Sequence, residues 1–236
     1  MTRTETYAPG KVLDVHGPID GRRRAPVVLL WHGSGPDERD ALAPLAAVLA
    51  RHGVLALVPD WQSDDFAVGS RQLLASIRYA RTAAADLGGD PAQLVLAGWS
   101  LGANAAAWVG LHPEATDGVA PTVVVGLGGS YFGSPFGDDV FAGVGGAAVA
   151  AAPGRALLVH GTGDHLVPVE RSAEAADRLA RHGWSVRLRQ VGTDHAGVIG
   201  TVFDRARGRC VPSDDPVRAA ALVEVADLVS RAALEP

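Results

Sequence analysis

The sequence predicts an α/β chain: one doubly wound, mostly parallel sheet with helices on both faces and little or no cap. Three observations carry this. Short, nearly continuous apolar runs recur along the chain, as strands buried on both faces require. They alternate with longer stretches whose apolar residues fall at helical spacing. Glycine-rich and polar clusters sit at the ends of the apolar runs, where parallel sheets bind ligands. A chain of 236 residues suffices for one such domain and is short for two, so 1–236 reads as a single domain.

The elements follow in order. Residues 11–19 are a candidate leading strand. The run 25–33, "APVVLLWHG", is a buried strand ending in glycine. Residues 38–53 have helical spacing, with Gly53 placed to close the helix. Strand 54–61, helix 70–89, strand 92–100 and helix 101–112 repeat the alternation. Residues 121–129, 155–163 and 184–193 are three further strands, with a helix over 168–183 between the last two. A final helix spans 215–234. The least regular stretch, 133–154, is too short for a separate domain and reads at most as a small lid segment or one helix with its loops.

Composition narrows the function classes. A net charge of −5 gives no general attraction for nucleic acid or an anionic membrane. The basic run Arg22-Arg23-Arg24 lies between Asp20-Gly21 and Ala25-Pro26 and reads as a solvated turn. The single cysteine, Cys210, allows no internal disulfide. It follows "RARGR" in a loop-like stretch, a poor setting for a nucleophile. The N-terminus lacks an apolar signal core and no run is long enough to span a membrane, so a cytoplasmic protein is expected. No cofactor or metal is expected. In "GLGGSY" (126–131), Tyr131 stands where a dinucleotide fingerprint needs its third glycine. His160, Asp164 and His165 lack metal-ligand spacing.

The segment "LVLAGWSLGANAAA" (94–107) carries the chemistry. A serine on a sharp strand-to-helix turn adopts a costly backbone conformation, and the chain folds back tightly enough that its flanks must be small. Gly98 and Gly102 meet that need. The turn exposes the Ser100 hydroxyl above the sheet and sets the first helix amides beside it, where they can bind developing negative charge. Gly98-Trp99-Ser100-Leu101-Gly102 fits the G-x-S-x-G nucleophile elbow in its strand–turn–helix context.

From this point the chain resembles the α/β-hydrolase fold superfamily over nearly its whole length. The resemblance implies a triad in the order serine, acid, histidine. "HGTGDHLVPVE" is similar to the family's acid loop, which makes Asp164 the acid. "QVGTDHAG" after the last strand supplies His195. Asp138 and Asp139, after the preceding strand, and Asp194 are alternative acids. The "WHGSG" segment resembles the oxyanion loop, which pairs the backbone N–H of Ser34 with that of Leu101; His32 there is expected to bond loop backbone. Trp31, Trp99, Tyr131 and Phe132, with Phe136 nearby, are candidate pocket residues.

Ser100 would attack, His195 would move the proton and Asp164 would orient the imidazole. The expected reaction is hydrolysis of small-molecule carboxylic esters with small to medium acyl groups. Thioester or amide hydrolysis, acyl transfer, and a catalytically silent ligand-binding member are the alternatives. Serine at the elbow argues against the superfamily's dehalogenases and epoxide hydrolases. Dienelactone hydrolases are similar in size and small lid but carry cysteine at that position.

Overall fold

The computed structural model of the chain describes residues 2–17, 24–116, 118, 120–144 and 154–235. Its centre is an eight-stranded sheet made of β1 (Thr2–Ala8), β2 (Lys11–His16), β3 (Ala25–Trp31), β4 (Leu55–Pro59), β5 (Gly89–Trp99), β6 (Val123–Leu127), β7 (Arg155–Gly161) and β8 (Ser185–Val191). The spatial order is β1-β2-β4-β3-β5-β6-β7-β8. Strands β3 to β8 pair in parallel, and the antiparallel β1–β2 hairpin adds to the β4 edge. The helices are α1 (Ala43–Arg51), α2 (Phe66–Ala83), α3 (Leu101–Leu111), α4 (Glu170–Arg181) and α5 (Pro216–Leu234).

Strand alternation sorts the core into two layers. Val28, Leu30, Val95 and Val125 face α1 and α5, which bring Leu45, Leu49, Val225 and Val229. Leu29, Leu57, Leu96, Val124 and Leu158 face the other way, against Leu73 and Ile77 of α2, Ala105 and Ala106 of α3, and Ala175 and Leu179 of α4. Because both faces are covered, the strands are apolar without a polar alternate. The alanine-rich α3 lies close on the sheet: a Cβ on Gly110 would press into the Val124 side chain at 2.5 Å.

Two elements depart from expectation. Strand β1, "TRTETYA", is mostly exposed; a polar edge strand has no buried pattern to read, and charges suit an edge. Residues 201–212 are not a loop but a second, two-stranded sheet, β9 (Thr201–Asp204) and β10 (Arg209–Pro212). Cys210, expected in a loop-like stretch, is buried on β10 opposite Phe203. Boundaries shift for local reasons as well. Helix α2 begins at Phe66, ahead of 70, because the Asp65 carboxylate accepts from the Val68 N–H at 3.0 Å.

The described part of the expected lid, 133–144, is tied to α4: Arg178 bonds Asp139 at 3.1 Å and lies 3.9 Å over the Phe141 ring. Residues 145–153 of that segment lie outside the described residues, as do Arg22 and Arg23 of the basic run and 18–19 of the leading strand. No helix among the described residues is long and apolar enough to cross a membrane.

Candidate active site

Strand β5 ends at Trp99 and α3 starts at Leu101, so Ser100 alone makes the turn, with φ +55° and ψ −118°. Left-handed φ is unfavourable for a residue with a Cβ. Its N–H donates to the Leu127 carbonyl on β6 at 2.8 Å, which holds the turn against the sheet. A Cβ on Gly98 would collide with the Gly102 backbone, and one on Gly102 with the Trp31 and His32 carbonyls. The two glycines are therefore required by contact with main chain, which cannot move aside. A serine before a helix ordinarily caps it; here Ser100 makes no side-chain cap bond.

Ser100 opens into a cleft of about 390 Å³ that His195 also lines, together with Ser34, Trp99, Leu166 and Phe203. His195 follows β8 and is held from two sides. Its backbone carbonyl accepts from the Trp99 indole N–H at 2.9 Å, and its Nδ1 lies 2.6 Å from Asp164 Oδ2. An ionised carboxylate only accepts, so Nδ1 carries the proton and Nε2 is left unprotonated, with a lone pair to accept.

The Asp164 carboxyl group is fully buried. Burial alone would raise its pKa, but hydrogen bonds from His160, His195 and the Val167 amide outweigh it and hold the group well below the usual carboxylate range. The alternative acids are engaged elsewhere. Asp139 bonds Arg178, Asp194 bonds Arg218, and Asp138 is exposed on the surface.

The Ser34 and Leu101 amides have no acceptor among the described residues. The loop bearing Ser34 is anchored by His32, which is fully buried. Its Nε2 accepts from the Glu38 and Trp61 amides at 3.3 and 3.2 Å, and its Nδ1–H donates to the Gly33 carbonyl at 2.9 Å. Burial lowers its pKa to about 4. This gives a stability prediction. The unfolded imidazole takes up a proton near pH 6.5 and the folded one only near 4, so stability falls as pH drops through that window. The total loss is about 3 kcal/mol. Urea unfolding midpoints near pH 7 and near pH 4 check it, and His32→Gln should remove that part of the slope.

The candidate pocket aromatics divide. Trp99 lines the cleft. Trp31, on the opposite face of its strand, is sealed in the core and donates to Ser76 of α2 at 3.0 Å. Tyr131 is buried with its hydroxyl over Gly126, Phe132 lies at the surface under Arg171, and Phe136 stacks on Trp108. None of these four reaches the cleft. Instead its far wall is built by Phe203, Gly208 and Cys210 of the β9–β10 hairpin, and its rim by Leu166 and Val167 beside Asp164. The one carboxylate lining it among the described residues is Glu38, whose pKa is raised by burial. Leu166, an apolar residue of the acid loop, is 77% exposed and serves no core, an exposure that the fold sets and the sequence does not show.

No protein-family model and no curated protein matches the chain. Solved structures do. Esterase 2 of the planctomycete Thermogutta terrifontis with propionate bound superposes with a TM-score of 0.75, at 18% identity, over 100% of this chain and 96% of that one. Its butyrate-bound form gives 0.71 at 18% identity, over 97% and 92%. The form phosphorylated by paraoxon gives 0.74 at 18% identity, over 98% and 93%. With this strand order and this extent of superposition, the chain has the α/β-hydrolase fold.

Proposed function

We propose that the chain is a serine hydrolase that cleaves carboxylic esters of small to medium acyl groups through an acyl-enzyme. The observation that carries the reading is the 2.6 Å contact of His195 Nδ1 with Asp164 Oδ2, in the cleft that Ser100 also lines. In this mechanism Ser100 Oγ attacks the ester carbonyl while His195 Nε2 takes its proton. The Asp164 carboxylate stabilises the imidazolium that forms. The Ser34 and Leu101 amides receive the oxyanion, each worth about 3–4 kcal/mol to the transition state. His195 then protonates the departing alkoxide. Water, deprotonated by the same imidazole, releases the acid and restores Ser100.

The walls support a substrate class. Trp99, Leu166, Val167, Ala196 and Phe203 favour an apolar acyl or alkoxy group. Glu38 disfavours a negative charge. Propionate and butyrate on the structurally similar esterase agree with short chains, and a cleft of this size limits length. A single cysteine fits a reducing compartment, and in this reading the enzyme is cytoplasmic.

A panel of 4-nitrophenyl esters of graded acyl length tests the proposal. The expected kcat/KM is highest for short neutral chains and falls at long ones. A succinate half-ester should be cleaved at least roughly tenfold more slowly than butyrate, through repulsion by Glu38. No turnover of any ester would refute the reading.

A further inference from the structure

His160, at the end of β7, is fully buried and has no part in the mechanism above. Its surroundings fix its proton. Nε2 faces two acceptors, the Val167 carbonyl at 2.9 Å and Asp164 Oδ2 at 3.2 Å. It must therefore carry the hydrogen, shared between them. Nδ1 is left to accept from the Ser172 hydroxyl at 2.7 Å. Ser172 is itself fully buried, in the first turn of α4, beside the Tyr131 hydroxyl.

The consequence lies in which oxygen is shared. Asp164 Oδ1 accepts from the Leu166 and Val167 amides, both at 2.9 Å. Asp164 Oδ2 accepts from two imidazoles, His195 at 2.6 Å and His160 at 3.2 Å. A carboxylate oxygen that already accepts one N–H is a weaker partner for a second. The charge available to a protonated His195 is thus divided with a neutral neighbour that never leaves.

We propose that His160 is a positioning residue that clamps Asp164 from behind and limits how strongly Asp164 stabilises protonated His195. The proposal rests on the catalytic reading of Ser100, Asp164 and His195. It explains why a polar imidazole occupies the buried end of β7, whose other residues after Arg155 are apolar. His160 joins α4, through Ser172, to the acid loop, so the helix position is transmitted to the oxygen that meets His195. The other charged groups around His195 are Asp194, neutralised by Arg218 of α5, and Glu38 across the cleft. Around His160 the one charged group among the described residues is Asp164, on the loop that follows β7, beside the neutral hydroxyls of Ser172 and Tyr131. Replacing His160 leaves Asp194, its partner Arg218 and Glu38 in place.

The test is the pH dependence of kcat/KM on a neutral ester for wild type, His160→Phe and His160→Gln. Phenylalanine fills the space without a donor, whereas the glutamine amide N–H can replace the Nε2–H. The acid limb is expected to move up by about one pH unit in the phenylalanine variant and to stay near the wild-type midpoint in the glutamine variant. Ser172→Ala, which keeps the imidazole but frees its Nδ1, should shift the limb in the same direction by less, and serves if His160→Phe does not fold. An unmoved or lowered midpoint in the variants without the donor would overturn the proposal, even if their rates fall, because His160 would then only pack the loop. An NMR titration of the His195 ring in the resting protein reads the same shift without turnover. A failure of the esterase reading, seen as no ester cleavage by wild type, is thereby separated from a failure of the inference.

Discussion

Replacing Ser100 with alanine is expected to lower kcat on a butyrate ester by about a million-fold, with KM little changed. The substitution removes the only hydroxyl at the turn and leaves everything that positions it. The Ser100 N–H still bonds Leu127, and Gly98 and Gly102 still allow the close approach of β5, α3 and the Trp31–His32 backbone. A methyl group also tolerates the left-handed φ no worse than the serine side chain does. The unfolding midpoint should therefore stay near wild type, or rise slightly as a constrained polar group is lost. Steady-state kinetics beside a urea melt separates lost chemistry from lost fold. A variant retaining more than a thousandth of wild-type kcat would show that another group performs the attack.

The next largest effect is expected for Asp164→Asn, roughly a ten-thousand-fold loss in kcat. The side chain is nearly isosteric, so the reason is protons. One carboxylate oxygen accepts from the Leu166 and Val167 amides and the other from His195 and His160. Asparagine keeps its carbonyl toward the amides and must then present N–H groups to the two imidazoles. His195 can meet that only by moving its proton to Nε2, the atom that accepts from Ser100 in the proposed mechanism. The loss should appear in kcat, and raising the pH should recover part of it as hydroxide substitutes for the missing base. Stability should fall too, since a buried site with four donors loses its anion. The Asp164 charge stabilises the fold above the acid's unfolded pKa, and this contribution disappears as pH falls toward the depressed folded value.

The parallel strands and the elbow were legible because strict physical demands leave few sequence solutions. A strand covered on both faces must be apolar throughout, as β3, β4 and β6 are. A serine that turns alone between strand and helix must have glycine where main chains touch. The cleft walls were less legible. Position at a strand end gives height above the sheet but not the face, so Trp31 and Trp99 read alike, although they lie one register position apart on the neighbouring strands β3 and β5, Trp31 pairing with Gly98. The first points into the α2 layer and the second toward His195. The β9–β10 hairpin escaped notice because its two four-residue strands pair with each other and are joined through charged residues. Its value to the site comes from packing over the cleft, which no local pattern encodes. His160 was visible at an expected strand end, and β7 does end there, yet its contact with Asp164 depends on how the acid loop closes.

The central claim is that Ser100 is an activated nucleophile, and a covalent probe meets it most directly. Purified protein is incubated at neutral pH with a fluorophosphonate and its intact mass is read, with Ser100→Ala alongside. One adduct on the wild type and none on the variant is the predicted result. An unmodified wild type, or an adduct on both proteins, would contradict it.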